Sequence, residues 1–489
     1  MMTRVTQSIP EFFDAAVSEV PGKVWLRSDD ATYTYADAHA RILTAAAALR
    51  EQGLRPGELV LATTRNTPDH LFTWLAVMYA GGIFLPVNPA SSAVEVQGLV
   101  DQVRPRLVIS DADIACLFRD TAGAADGPGP AGPDDPAALI PTSGTTGRSK
   151  LVTQTHRAYV MAGEGFPWWL GLGPDDRLMT SLPLFHINAP AYSVMGSVAA
   201  RASLVLLPRF SASTFMDAAR RHGATEFNAI GAMLEILMRQ PERPDDAENP
   251  LRLCYTGPSP TEERQLEIER RFGLRIVCGY ALSETPYGMI WPRGSRPYGT
   301  LGTPRQHPRL GEINEARVVD GELQLKNPAI MAGYWGMPEE TGRVLLPDGW
   351  LRTGDLVQPN ADGTYTFIGR LKEVIRRRGE NVAPAEIEDA LERHPAVLEA
   401  AVIGVPSELT EEEIKAFVAV DDPEAADLAA IRTAAAERLA PFKVPRYLEA
   451  VAELPHTPTG RVAKHELSRD RTDGEADFAA PPARTGGGG

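Results

Sequence analysis

Pro141-Thr142-Ser143-Gly144-Thr145-Thr146-Gly147-Arg148-Ser149-Lys150 directly follows the apolar run Ala137-Ala138-Leu139-Ile140. The run reads as the end of a buried strand. The residues after it combine two glycines, a series of hydroxyl side chains and one lysine. Such a segment offers backbone N–H groups, hydroxyls and a cation to a polyphosphate. Taken alone, it is equally a solvated surface loop. It is not the nucleotide P-loop pattern, in which a second glycine adjoins a Lys-Ser/Thr pair; here Ser149 comes before Lys150.

Outward from this loop, short apolar runs alternate with helical patterns. Leu59–Thr63, Leu107–Ser110, Leu204–Leu207 and Ile276–Cys278 read as buried strands. Residues 38–52, 68–80, 214–222 and 261–272 read as amphipathic helices between strands. This alternation predicts an α/β layered domain with mostly parallel sheets. Residues 122–136 are too rich in Gly and Pro for helix or strand. From 322 the texture changes to short strands and turns, with strands at 322–325 and 364–368. A boundary is expected near 370, followed by a small α+β segment with helix 384–393, strands 398–404 and 415–420, and helix 429–439. The Asp/Pro/Ala-rich tail, 471–489, is expected to be disordered.

Bulk properties agree with a soluble enzyme. With 489 residues there is length for two or more domains. The net charge of −15, from 49 basic and 64 acidic residues, argues against nucleic acid or an anionic membrane as a general partner. Cys116, Cys254 and Cys278 are dispersed and odd in number, so neither a disulfide framework nor a cysteine metal site is expected. No signal-like segment opens the chain and no run reaches the ~20 apolar residues of a spanning helix. A cytoplasmic location follows as an expectation.

Four further stretches keep company with the loop. They are Gly279-Tyr280-Ala281-Leu282-Ser283-Glu284-Thr285, Gly349-Trp350-Leu351-Arg352-Thr353-Gly354-Asp355-Leu356, Gly369-Arg370-Leu371-Lys372-Glu373-Val374-Ile375 running on to Gly379-Glu380-Asn381-Val382, and Pro458-Thr459-Gly460-Arg461-Val462-Ala463-Lys464. Together, in this order, the five resemble the signature motifs of the adenylate-forming superfamily: acyl-CoA synthetases, aryl-CoA ligases, luciferases and peptide-synthetase adenylation domains. The resemblance covers nearly the whole chain and is nearest to the bacterial carnitine- and fatty-acid–CoA ligase subgroup.

The resemblance implies a large N-terminal AMP-binding domain over 1–370, a small mobile C-terminal domain over 371–470, and a hinge near Lys372. It implies ATP and Mg²⁺ as cofactors and CoA as co-substrate. Thr142, Ser143, Gly144, Thr145, Thr146, Gly147 and Lys150 would hold the phosphates, with Thr146 and Glu284 at the metal. Gly257 and Tyr280 would meet adenine, Ser283 the α-phosphate, Asp355 the ribose hydroxyls, and Arg370 ribose and phosphate. Lys464 would bridge carboxylate and α-phosphate, where two anions must be neutralised and held in line. His186, Asn228, Gly231, Ala232 and Ala281 would line the acyl pocket, and Arg378 and Gly379 the CoA path. The substrate implied is an uncharged aryl or modest acyl acid, and the assembly a monomer or homodimer.

Each residue also has a plainer reading: a solvated lysine, a turn aspartate, a buried satisfied histidine. Two other functions stay open at this point. One is activation of a different oxyanion, such as nitrite for attack by an aromatic amine. The other is a nucleotide-binding pseudoenzyme, against which the joint presence of Lys150, Glu284, Asp355 and Lys464 argues.

Overall fold

The apolar tetrads become inner strands. Leu59-Val60-Leu61-Ala62 and Leu253-Cys254-Tyr255-Thr256 are buried along their whole length, as strands covered on both faces must be. The computed structural model describes residues 5–119, 127–142, 150–257, 259–377, 380–407, 412–457, 462–472 and 474–478, with backbone alone at 231, 232, 380 and 381. The chain divides into two compact units. The first takes residues 1–317, 324–353 and 361–364, and the second 318–323, 354–360 and 365–489.

Among the described residues the first unit carries two mixed sheets. A nine-stranded sheet has the order 303–304, 285–290, 275–282, 253–256, 226–228, 177–180, 203–206, 24–27, 32–34. Its six inner strands run parallel and its ends are closed by antiparallel pairs. A six-stranded sheet has the order 333–334, 150–155, 136–142, 83–86, 59–63, 107–110. Helices Tyr35–Glu51, Pro68–Tyr79, Ala212–His222 and Glu262–Phe272 fall where the amphipathic patterns were read. The α/β layered class therefore holds, with antiparallel pairs at both ends of the larger sheet and at one end of the smaller.

In the second unit, helices Pro384–Glu392 and Leu428–Ala436 pack on a sheet of order 399–406, 412–419, 447–451, 475–477. Residues 354–360 and 365–370 cluster with the second unit, where Asp355–Pro359 and Tyr365–Arg370 pair as one antiparallel ladder. One expectation changes here: the tail is not disordered from 471. Glu475–Asp477 forms an edge strand beside Tyr447–Glu449. Its Glu475 reaches the buried Lys415 ammonium at 2.8 Å, which Glu449 also meets at 3.2 Å. Arg446 pairs with Asp477 at 3.0 Å, and Phe478 packs against the unit's core. Composition signalled disorder, but two ion pairs and one aromatic ring outweigh it. Residues 479–489 lie outside the described residues.

Candidate active site

The two feet of the glycine-rich loop are pinned together. Thr142 and Lys150 face each other across an antiparallel pair, and the Thr142 hydroxyl donates to the Lys150 carbonyl at 3.2 Å. Ser143, Gly144, Thr145, Thr146 and Gly147 lie outside the described residues. The Lys150 ammonium sits 2.8 Å from the Glu340 carboxylate and 5.0 Å from the centre of the Tyr334 ring. Tyr334 lies on the edge strand next to Lys150–Thr155, in register with Val152. Its hydroxyl donates to Glu284 Oε1 at 2.8 Å. Burial, and then the Glu284 charge, push the Tyr334 phenol above its ordinary range, so it stays a donor.

Ser283 and Glu284 form the two-residue connection of the hairpin between Arg275–Leu282 and Thr285–Ile290, where Leu282 pairs with Thr285. The connection is tied down twice more. The Met331 N–H donates to the Glu284 carbonyl at 2.8 Å, and the Gln154 amide donates to the Ser283 carbonyl. The tip of one sheet is thus fixed to the edge of the other, and Lys150 and Glu284 meet on either side of one tyrosine. Tyr334, Glu340 and Gln154 escaped sequence reasoning.

Among the described residues no group of three or more His, Cys, Asp or Glu could cage a metal. The single Glu284 carboxylate fits Mg²⁺, which takes one or two carboxylates and completes its shell with substrate phosphates and water. Glu284 is half-buried, and its second oxygen makes no bond among the described residues.

Of the residues expected to line an acyl pocket, His186 and Asn228 stand where sheet topology reverses. Strand 177–180 sends the chain to 203–206 on one side, and the chain returns as 226–228 on the other. Segments leaving the carboxyl ends of strands at such a reversal are where α/β sheets bind ligands. His186 follows the first of these strands and Asn228 ends the second. His186 is half-buried, with its ring 4.6 Å from that of Phe185. The buried Asn228 amide donates to Asn188 Oδ1 at 2.8 Å. Asn188, not expected, opens a π-helical turn over Ala189–Val194, a form often found at functional sites. Tyr192 of that turn donates to the Pro286 carbonyl at 2.6 Å, beside the Ser283-Glu284 connection. Gly231 and Ala232 begin the helix Gly231–Met238.

Beyond, Tyr280 and Ala281 are half-buried on the strand Arg275–Leu282. A side chain at Gly257 would collide with the Gly279 carbonyl. One on Gly279 would stand 2.6 Å from the Tyr255 hydroxyl and 3.0 Å from the Arg305 guanidinium. Arg305 is buried among the rings of Trp169, Tyr192 and Tyr255, and it also escaped the sequence reading.

The second unit holds the remaining candidates. Asp355 lies on a strand rather than in a turn, directly opposite Arg370, and their ion pair is 3.0 Å long. Asp355 is fully buried. Gly354 before it takes φ +71°, which favours glycine, and donates its N–H to Glu322 at 2.9 Å. Lys372 is exposed on a single 3₁₀ turn, Leu371–Glu373. Lys464 is held by two carboxylates of its own unit, Glu388 at 2.7 Å and Glu373 at 3.2 Å. Arg376 points out while Arg377 is buried against Glu413 and the carbonyls of Phe442 and Val444. Arg378 and Gly379 lie outside the described residues.

Residues 13–335 match the AMP-binding enzyme family, and residues 386–461 match the AMP-binding enzyme C-terminal domain. The chain belongs to this family: it is a ligase of the adenylate-forming superfamily. It is 30% identical over 486 residues to a crotonobetaine/carnitine–CoA ligase of Salmonella agona, covering 89% of this chain and 93% of that protein. To a sulfoacetate–CoA ligase of Cupriavidus necator it is 31% identical over 502 residues, covering 94% and 98%. The ATP-bound crystal structure of MatB from Rhodopseudomonas palustris superposes with a TM-score of 0.84 at 27% identity, covering 94% and 98%. Among the described residues no helix is long and apolar enough to cross a membrane.

Proposed function

We propose that this ligase activates an aryl or modest acyl carboxylic acid with ATP, releases pyrophosphate, and passes the acyl group to CoA. The observation carrying this reading is the juxtaposition of the Lys150 ammonium and the Glu284 carboxylate about Tyr334. A polyphosphate needs a cation, and its metal needs an oxygen ligand, in one place. The CoA ligases among its relatives, at 30–31% identity over nearly the full chain, support the acceptor.

In this reading Lys150, with Thr142 and the loop between them, holds the phosphates. Glu284 holds Mg²⁺, which when bound neutralises phosphate charge. His186, Asn228 and Ala281, together with Gly231 and Ala232, receive the acid. Asp355 and Arg370 receive the ribose, Gly257 and Tyr280 the adenine, and Ser283 the α-phosphate. Lys464 neutralises the two anions as the carboxylate oxygen attacks the α-phosphorus and pyrophosphate leaves. The thiol sulfur of CoA then attacks the acyl carbon and AMP departs with the electron pair. Lys372 is the proposed hinge between the two half-reactions, and Arg378 and Gly379 flank the thiol's path.

A panel of aryl and short acyl acids, with nitrite as control, tests the reading by pyrophosphate release with and without CoA. Acid-dependent release with thioester formation supports it. Release with nitrite and an aromatic amine, and none with any acid, overturns it.

A further inference from the structure

Lys150 and Glu284 stand on different sheets, and something must hold them at a common distance. We infer that Tyr334 does so: it is the positioning residue that aims the Glu284 carboxylate at the metal while its ring seats the Lys150 ammonium. The inference rests on the proposed adenylating function.

The side chain is fit for both tasks. Its backbone is anchored, because Gly333 and Tyr334 pair with Thr153 and Val152. The residue is buried, so the ring has little freedom. The hydroxyl occupies Glu284 Oε1 at 2.8 Å and leaves the second oxygen to a metal. The face of the ring lies 5.0 Å from Lys150 Nζ, within the range of a cation–π contact. The Tyr334 N–H also receives help: it donates to Thr341 Oγ1 at 2.9 Å, on the short helix Pro338–Val344 that carries Glu340. One residue therefore touches both the cation and the carboxylate that would meet the metal-bound phosphates.

The two contacts separate cleanly by mutation. Tyr334→Phe removes the hydroxyl and keeps the ring. Groups that orient a metal ligand from behind typically change metal affinity by roughly 10–100-fold. Electron paramagnetic resonance of Mn²⁺ bound to the protein with a non-hydrolysable ATP analogue reads that affinity without turnover. Tyr334→Phe should weaken Mn²⁺ binding by about 10–100-fold, with metal-free ATP binding and the melting temperature little changed. Because Tyr334 acts through Glu284, Glu284→Gln with Tyr334→Phe should bind Mn²⁺ no more weakly than Glu284→Gln alone. Unchanged Mn²⁺ affinity in Tyr334→Phe, or losses that add in the double variant, would overturn the positioning role. Wild-type protein that binds the Mn²⁺–nucleotide complex yet releases no pyrophosphate with any acid would instead overturn the adenylating function.

Discussion

Lys464→Ala should separate the two half-reactions and also destabilise the second unit in a pH-dependent way. The catalytic part follows from the proposed role. Removing one preorganised group that stabilises transition-state charge typically lowers kcat by roughly 10²–10³. Acyl-AMP formation should fall by that factor or more, while conversion of supplied acyl-AMP to thioester should stay near the wild-type rate. The stability part comes from the ion pairs. Removing one partner of a buried pair costs about 3–5 kcal/mol, and of an exposed pair about 0–1 kcal/mol. The side chains of Lys464, Glu388 and Glu373 are 21%, 17% and 34% exposed, so the loss falls between, at about 1–3 kcal/mol. Burial raises the Glu388 carboxyl and Lys464 pulls it back; without Lys464 it rises further. A carboxyl held above its unfolded value leaves the folded chain binding more protons, so stability falls as pH rises from about 4.3 upward. The deficit in urea unfolding should therefore be larger at pH 8 than at pH 5. Equal loss of both half-reactions in a folded variant, or a deficit that grows at low pH, would refute the reasoning.

Asp355→Asn removes the charge facing Arg370 and should weaken nucleotide binding by about 1.5–3 kcal/mol by calorimetry, the worth of a charged hydrogen bond; unchanged affinity takes Asp355 out of the site. Gly279→Ala places a methyl against Tyr255 and Arg305 and should destabilise the first unit by about 1–3 kcal/mol, read as a lower denaturation midpoint. Ending the chain after Arg469 strips the Glu475 partner from the buried Lys415 and should destabilise the second unit by on the order of 3 kcal/mol; a tail that only dangles would leave the melting transition in place. Gly379→Leu should suppress thioester formation while first-turnover pyrophosphate release persists, seen by quenched-flow chromatography.

Much of this was readable in the residues because it is local. Leu59–Thr63 is an apolar run that becomes an inner strand, and helices 68–80 and 261–272 announce themselves by their periodicity; Leu107–Ser110, read as buried, is an edge strand in which Ile109 alone is buried. What escaped is the product of pairing over long sequence separations. Tyr334 reaches Glu284, and Lys150 reaches Glu340, only because an edge strand closes beside Lys150–Thr155. Arg376, Arg377 and Arg378 follow one another, yet strand alternation turns Arg377 inward to Glu413. The edge strand Glu475–Asp477 was hidden by polar composition, since its stabilisation comes from Lys415 and Arg446 rather than from apolar residues. Arg305 had no motif around it at all; its setting is made by Trp169, Tyr192 and Tyr255, each from a different stretch of chain.

In the proposed reaction a carboxylate oxygen attacks the α-phosphorus of ATP. This is tested most directly by giving the enzyme an accepted acid labelled with ¹⁸O in its carboxyl group, together with ATP and CoA, and weighing the products by mass spectrometry. Attack at that atom gives AMP carrying one ¹⁸O atom, unlabelled pyrophosphate, and a thioester that has lost one label. Unlabelled AMP, or ADP with labelled inorganic phosphate, would contradict it.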